Sequence, residues 1–217
     1  MSLACRRMLA LRAAAVTPLL ALATALLVTA MVAYPGGSAS SPDANAFVPW
    51  RDYFCDLLAE RTASGRDNTL GMVCARIGMV LTAVALWPLW REGVVARPWP
   101  ARQRVIRWAG ALAVLAMPAV AWTPSGAWPL WHSVAILVAG VPGGLALVLT
   151  AACLWQTRRE RPGTARLTVL FGIAAAAVAL LWTLCFVATW PATPLANAQK
   201  IAWLLLLAWA VALARAR

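Results

Sequence analysis

The chain has 217 residues, of which 63% are hydrophobic and 12% charged. A soluble domain carries roughly 45–50% apolar and about 25% charged residues, so a soluble fold could not hide this much apolar surface. The 19 basic residues outnumber the 7 acidic ones, for a net charge of +12. They cluster between apolar runs and form no basic surface interleaved with aromatic rings, which argues against a nucleic-acid partner.

Six apolar runs divide the chain, at about residues 13–34, 70–90, 105–122, 131–155, 166–190 and 195–214. Each meets the roughly 20 residues needed to cross a hydrocarbon layer about 30 Å thick. Backbone polar groups must be satisfied internally in lipid, and uninterrupted Leu, Ala and Val runs do this as helices rather than as barrel strands. The fold class expected is therefore all-α, a polytopic bundle of six transmembrane helices forming one membrane domain over residues 1–217.

The first run follows Arg6, Arg7 and Arg12 and precedes Ser38-Ala39-Ser40, a pattern that a cleaved signal peptide could share. Its apolar part, about 20 residues, is longer than the roughly 7–15 of a signal core, so retention as a span is expected. Arginines retained in the cytoplasm set the orientation. Arg91, Arg97, Arg102 and Arg104 mark the second connection, Arg158, Arg159 and Arg161 the fourth, and Arg215 and Arg217 the C-terminus. The first connection is acidic overall, the third has no charge and the fifth has only Lys200 at its end. Both termini are thus predicted inside, with residues 35–69 as an external loop.

That loop opens with the helix terminator Tyr34-Pro35-Gly36-Gly37 and continues through a flexible polar stretch to Pro49-Trp50. Phe54, Leu57 and Leu58 then share one helical face, with Asp52, Asp56 and Glu60 on another, predicting a short amphipathic helix on the membrane surface. Gly65 is placed to end it.

Arg76 falls about six residues into the second run, roughly 9 Å along a helix at about 1.5 Å per residue. An arginine at that depth either snorkels outward or takes an inward partner, and Asp52 and Asp56 are the nearest predicted carboxylates. His132 is the sole histidine and opens the fourth run, while Asn197 and Lys200 open the sixth. Topology therefore gathers Asp52, Asp56, Asn68, Arg76, His132, Asn197 and Lys200 at the outer end as candidate ligand-binding residues. In the fourth run, Gly140-Val141-Pro142-Gly143-Gly144 predicts a loosened helix or a packing notch of the Gly140/Gly144 kind.

Thirteen tryptophans, among them Trp87, Trp90, Trp99, Trp108, Trp122, Trp128, Trp131, Trp155 and Trp190, sit mostly at run ends, as an interfacial belt does. The five cysteines include no C-x-x-C pair and no neighbouring histidines, so neither a metal site nor a cofactor is expected. Cys55 and Cys74 lie toward the same predicted external end, where a disulfide is chemically permitted.

Trp50-Arg51-Asp52-Tyr53-Phe54-Cys55-Asp56-Leu57-Leu58, followed by Gly65-Arg66-Asp67-Asn68, Ala75-Arg76 and Gly78-Met79, resembles a group of small bacterial six-span membrane proteins, distantly similar to the Frag/DRAM/Sfk class. The likeness covers mainly residues 34–80. It implies a six-helix fold with an external first loop and a connection with lipid handling in the inner membrane, but carries over no catalytic residue. A single histidine departs from the metal-dependent intramembrane hydrolases.

Two functional readings follow. In the first, the protein binds membrane lipid or another apolar ligand at its outer-leaflet end, with Arg76 and Lys200 facing an anionic headgroup and the carboxylates as their partners in its absence. In the second, it is an intramembrane hydrolase or transferase with Asp56 or His132 as general base. A transporter would show midplane charges or an internal repeat, and neither is evident. Oligomeric state is left open by the sequence.

Overall fold

The structure, a computed structural model, describes residues 3–91, 99–156, 158–159, 162–187 and 193–215. Trp190 and the end of the fifth expected span, with Arg97, Arg161 and Arg217, lie outside the described residues. Six helices account for nearly all of it: α1 (Leu3–Ala33), α2 (Thr69–Arg91), α3 (Pro100–Trp122), α4 (Pro129–Gln156), α5 (Pro162–Val187) and α6 (Thr193–Arg215). All six contain a segment long and apolar enough to span a membrane. The chain is a multi-pass membrane protein built as a six-span helical bundle.

Proline marks where several of these helices begin. Pro100, Pro129 and Pro162 are first residues and Pro194 a second residue, positions where the missing N–H would be unpaired anyway. This is why α3 starts about five residues before its apolar run. Hydroxyls inside the spans bond back to carbonyls one turn earlier, as Thr24 does to Leu20 (2.8 Å), Thr82 to Gly78 (2.8 Å) and Thr150 to Ala146 (2.7 Å). No polar side chain of that kind then needs water.

Consecutive helices pack side by side, and α1 also touches α6, closing the ring. Two clusters fill it. Toward the arginine-rich end, Trp209 is fully buried between Trp90 (ring centroids 5.2 Å apart) and Phe171 (5.4 Å), and its Nε1 donates to Thr168 Oγ1 at 3.0 Å. At the other end, Leu27, Ala30 and Tyr34 of the α1 edge meet Phe47, Leu57, Leu58, Ala75 and Ala121. Trp108, Trp122, Trp128, Trp131 and Trp155 are all at least half exposed, as rings of an interfacial belt would be, whereas Trp90 belongs to the core.

The α4 expectation needs correction. The helix runs unbroken through Pro142, and a side chain added at Gly140 or Gly144 would meet open space. Gly143 is the one turned toward a neighbour, 3.3 Å from the Ala113 methyl.

The segment between α1 and α2 is a folded cap rather than a flexible loop. Gly36 and Gly37 take left-handed φ values of 81° and 75°, and a Cβ on Gly36 would lie 2.1 Å from the Ala44 carbonyl oxygen. The Arg66 guanidinium donates to the carbonyls of Pro35 (2.7 Å) and Ala44 (3.0 Å), tying the start of the cap to its end. The expected amphipathic helix is present only as a 3-10 turn, η1 (Phe54–Leu58), and it packs against α2 and α3 instead of lying along a membrane surface. Leu57 and Leu58 are buried, which drives the turn inward.

At Gly110 of α3 the Trp90 ring lies within 2.4 Å of where a Cβ would stand. Gly110→Ala should lower stability by about 1–3 kcal/mol through overpacking, read as a fall in thermal midpoint of the detergent-solubilised protein.

Candidate functional site

The cap is held to the bundle by one polar side chain from each of several helices, and all converge on residues 52–59. Asp52 is completely buried. Its carboxylate accepts from Ser38 Oγ (2.5 Å) and from the Val48 amide (2.7 Å), so both oxygens are used within the cap. Its backbone carbonyl accepts from the ammonium of Lys200, which comes from α6. That ammonium also lies over the rings of Phe54 (4.9 Å) and Phe47 (5.5 Å), a cation–π box that replaces part of its lost hydration.

Asn68, also buried, donates through Nδ2 to the carbonyls of Ala59 (2.8 Å) and Leu57 (3.3 Å). Arg76 donates from Nη2 to the Leu58 carbonyl (3.1 Å), with its guanidinium 5.8 Å from the centre of the Trp122 ring. The carboxylate partner considered for Arg76 is not taken. A backbone carbonyl serves instead, because the 3-10 turn presents Leu58 to α2, while both Asp52 oxygens are engaged within the cap.

His132, at the start of α4, is buried and oriented at both nitrogens. Nδ1 lies 2.6 Å from the Thr123 carbonyl and Nε2 lies 3.2 Å from Cys55 Sγ. A carbonyl only accepts, so Nδ1 carries the proton and Nε2 is left as the acceptor facing the thiol. Burial pushes the Cys55 thiol up to about 12, with the Asp56 charge adding to the rise and Lys200 opposing it. Cys55 and Cys74 are both free thiols, so no disulfide joins them.

Asp56 accepts from the Tyr53 amide at 2.7 Å, capping η1. Burial is the main force raising its pKa from 3.8 to about 6, and Asp52 adds to it, while the Tyr53 amide and Lys200 pull the other way. Asn197 lies one turn before Lys200 with its Oδ1 buried and without a hydrogen-bond partner among the described residues.

Of the seven residues singled out from sequence, Asp52, Asp56, Asn68, Arg76, His132 and Lys200 meet around this one segment, while Asn197 stands beside it. In this structure Lys200 and Arg76 donate to cap carbonyls, and the Arg76 Nε is buried without a hydrogen-bond partner among the described residues. Cys55 was missed as a site residue: its partner lies 77 positions away, and only its place in the external loop beside Asp56 marked it. No group of three His, Cys, Asp or Glu side chains suited to a metal occurs among the described residues. No family model, curated protein or solved structure matches the chain.

An apolar groove of about 380 Å³ runs down α3 and α4 below this cluster, lined by Leu112, Leu115, Ala119, Trp131, Val134 and Val138, with Thr123 at its end. Thr123 is the residue whose carbonyl holds His132, so groove and polar cluster share a wall.

Two outcomes test the site. Lys200→Met keeps the length of the stem but leaves the Asp52 carbonyl unpaired, and should weaken the cap by about 1–3 kcal/mol, seen as faster proteolysis within residues 34–68. For Asp56, the folded cap binds the proton more tightly than the unfolded chain does. The cap is therefore most stable below about pH 4 and loses stability as pH rises through about 6. Asp56→Asn retains an acceptor for Tyr53 and should flatten that dependence in amide exchange of the cap measured between pH 4 and 7.

Proposed function

We propose that the protein binds a membrane lipid of the outer leaflet, with an acyl chain in the α3/α4 groove and the headgroup at the Thr123–Trp131 rim. The observation that carries this reading is the groove itself, an apolar channel on the face of two spanning helices that ends beside a buried polar cluster. A hydrocarbon chain matches its lining, since burying methylenes there is worth about 0.8 kcal/mol each. Trp122, Trp128 and Trp131 are exposed around the rim, where indoles suit the headgroup level.

The orientation belongs to the same proposal. The arginine-rich turns would be cytoplasmic and the cap external, in the inner membrane of a bacterium, as the resemblance to small six-span bacterial proteins also implies. The cluster supports the reading because it anchors the rim: His132 bonds the Thr123 carbonyl on one side and meets Cys55 of the cap on the other, and a rim held before binding has less order to lose.

Native mass spectrometry of the purified chain should show one lipid class enriched over the bulk extract. Ala119→Trp and Val138→Trp, both at exposed groove positions, should cut that enrichment by about tenfold, the loss of roughly 1.4 kcal/mol, without lowering the thermal midpoint. Equal retention by both variants, or no enriched class in the parent, would overturn the proposal.

A further inference from the structure

We propose that Cys55 is a nucleophile that accepts the acyl group of an ester lipid, with His132 as its general base. The inference rests on the lipid reading above and assigns chemistry to the same rim. Three features of the geometry carry it. The first is the 3.2 Å contact between Sγ and Nε2. The second is the Thr123 carbonyl on Nδ1, which fixes the tautomer that leaves Nε2 able to take a proton. The third is Thr123, which lines the groove and whose carbonyl holds His132, so the pair adjoins the groove wall.

In the reaction, Sγ bonds to the ester carbonyl carbon and the C–O bond to the lipid alcohol breaks. The thiol proton passes to Nε2 and from there to the departing alkoxide. The products are a Cys55 thioester and a lysolipid. Water, or a second hydroxyl or amine, then attacks the thioester and restores the thiol, with His132 again moving the proton. No metal, oxidant or reductant is needed for this balance. The hydrogen bond to Cys55 could instead serve only to fasten the cap to α4, and the experiment separates the two roles.

The full chain is reconstituted in phosphatidylglycerol vesicles doped with a phosphatidylglycerol whose sn-2 chain ends in an alkyne. After incubation, the protein is coupled to a fluorophore and split between neutral hydroxylamine and buffer. The expected result is a hydroxylamine-cleavable label with at least one lysolipid released per label, absent from Cys55→Ala and slowed about 100-fold or more in His132→Gln. Cys55→Ser keeps a donor toward Nε2 and hence the fastening, so loss of the cleavable label there reports chemistry and not unfolding. A wild-type protein that retains lipid by mass spectrometry but forms no cleavable label overturns the thioester and leaves lipid binding standing. A hydroxylamine-cleavable label in Cys55→Ser, or one that forms at the parent rate in His132→Gln, overturns the dyad.

Discussion

A peptide segment folded back over the mouth of a membrane bundle must find partners for its own backbone, and in this protein the Lys200–Asp52 contact is where that demand is met most tightly. Asp52 is held through both carboxylate oxygens and through its carbonyl, the first two from within the cap and the third from α6. Burying an ammonium is costly unless it is bonded and compensated, and here a carbonyl and two aromatic faces compensate it. With Asp52 immobile, the next four residues have little freedom. Phe54 packs on Lys200 and Trp203, Cys55 meets His132, and Asp56 caps the turn.

The same logic divides the molecule along its length. Toward the arginine-rich end, the buried Trp90 and Trp209 and the partly buried Phe171 make an aromatic core, with Gly110 of α3 leaving room for the Trp90 ring. Toward the cap, packing between helices gives way to hydrogen bonds between helix side chains and cap carbonyls. Small residues at Ala116, Ala119 and Ala135 leave the groove open there. A rigid half and a grooved half thus follow from where the sequence places tryptophan and where it places alanine.

How much of this could be read beforehand depends on the range of the interaction. Span number and span length follow from runs of apolar residues, which act locally, and the structure agrees with them. The cap did not look like a folded unit, because its order comes from side chains such as Arg66 reaching carbonyls 22 and 31 residues away. Residues 52–60 have an amphipathic pattern, but five residues of 3-10 turn with Leu57 and Leu58 buried satisfy that pattern without a surface helix. The glycines of α4 show the opposite error. Gly140 and Gly144 have notch spacing, yet their helix presents them to open space, since which face of a helix meets a neighbour is decided by the ring and not by the helix alone.

The chemistry available at such a mouth is constrained by the cost of charge. A buried carboxylate bears that cost: burial raises the Asp56 pKa to about 6, and its Oδ2 is occupied by the Tyr53 amide. A thiol beside a neutral imidazole has no net charge at rest and so avoids that cost. Burial holds the sulfur protonated, and the opposing fields of Asp56 and Lys200 leave it so. Anionic sulfur can then arise only when Nε2 takes the proton, which ties deprotonation to the presence of an electrophile. An arrangement of this kind stays inert toward water and reacts when an ester is brought to the rim, and a groove for an acyl chain is the feature that would bring it there.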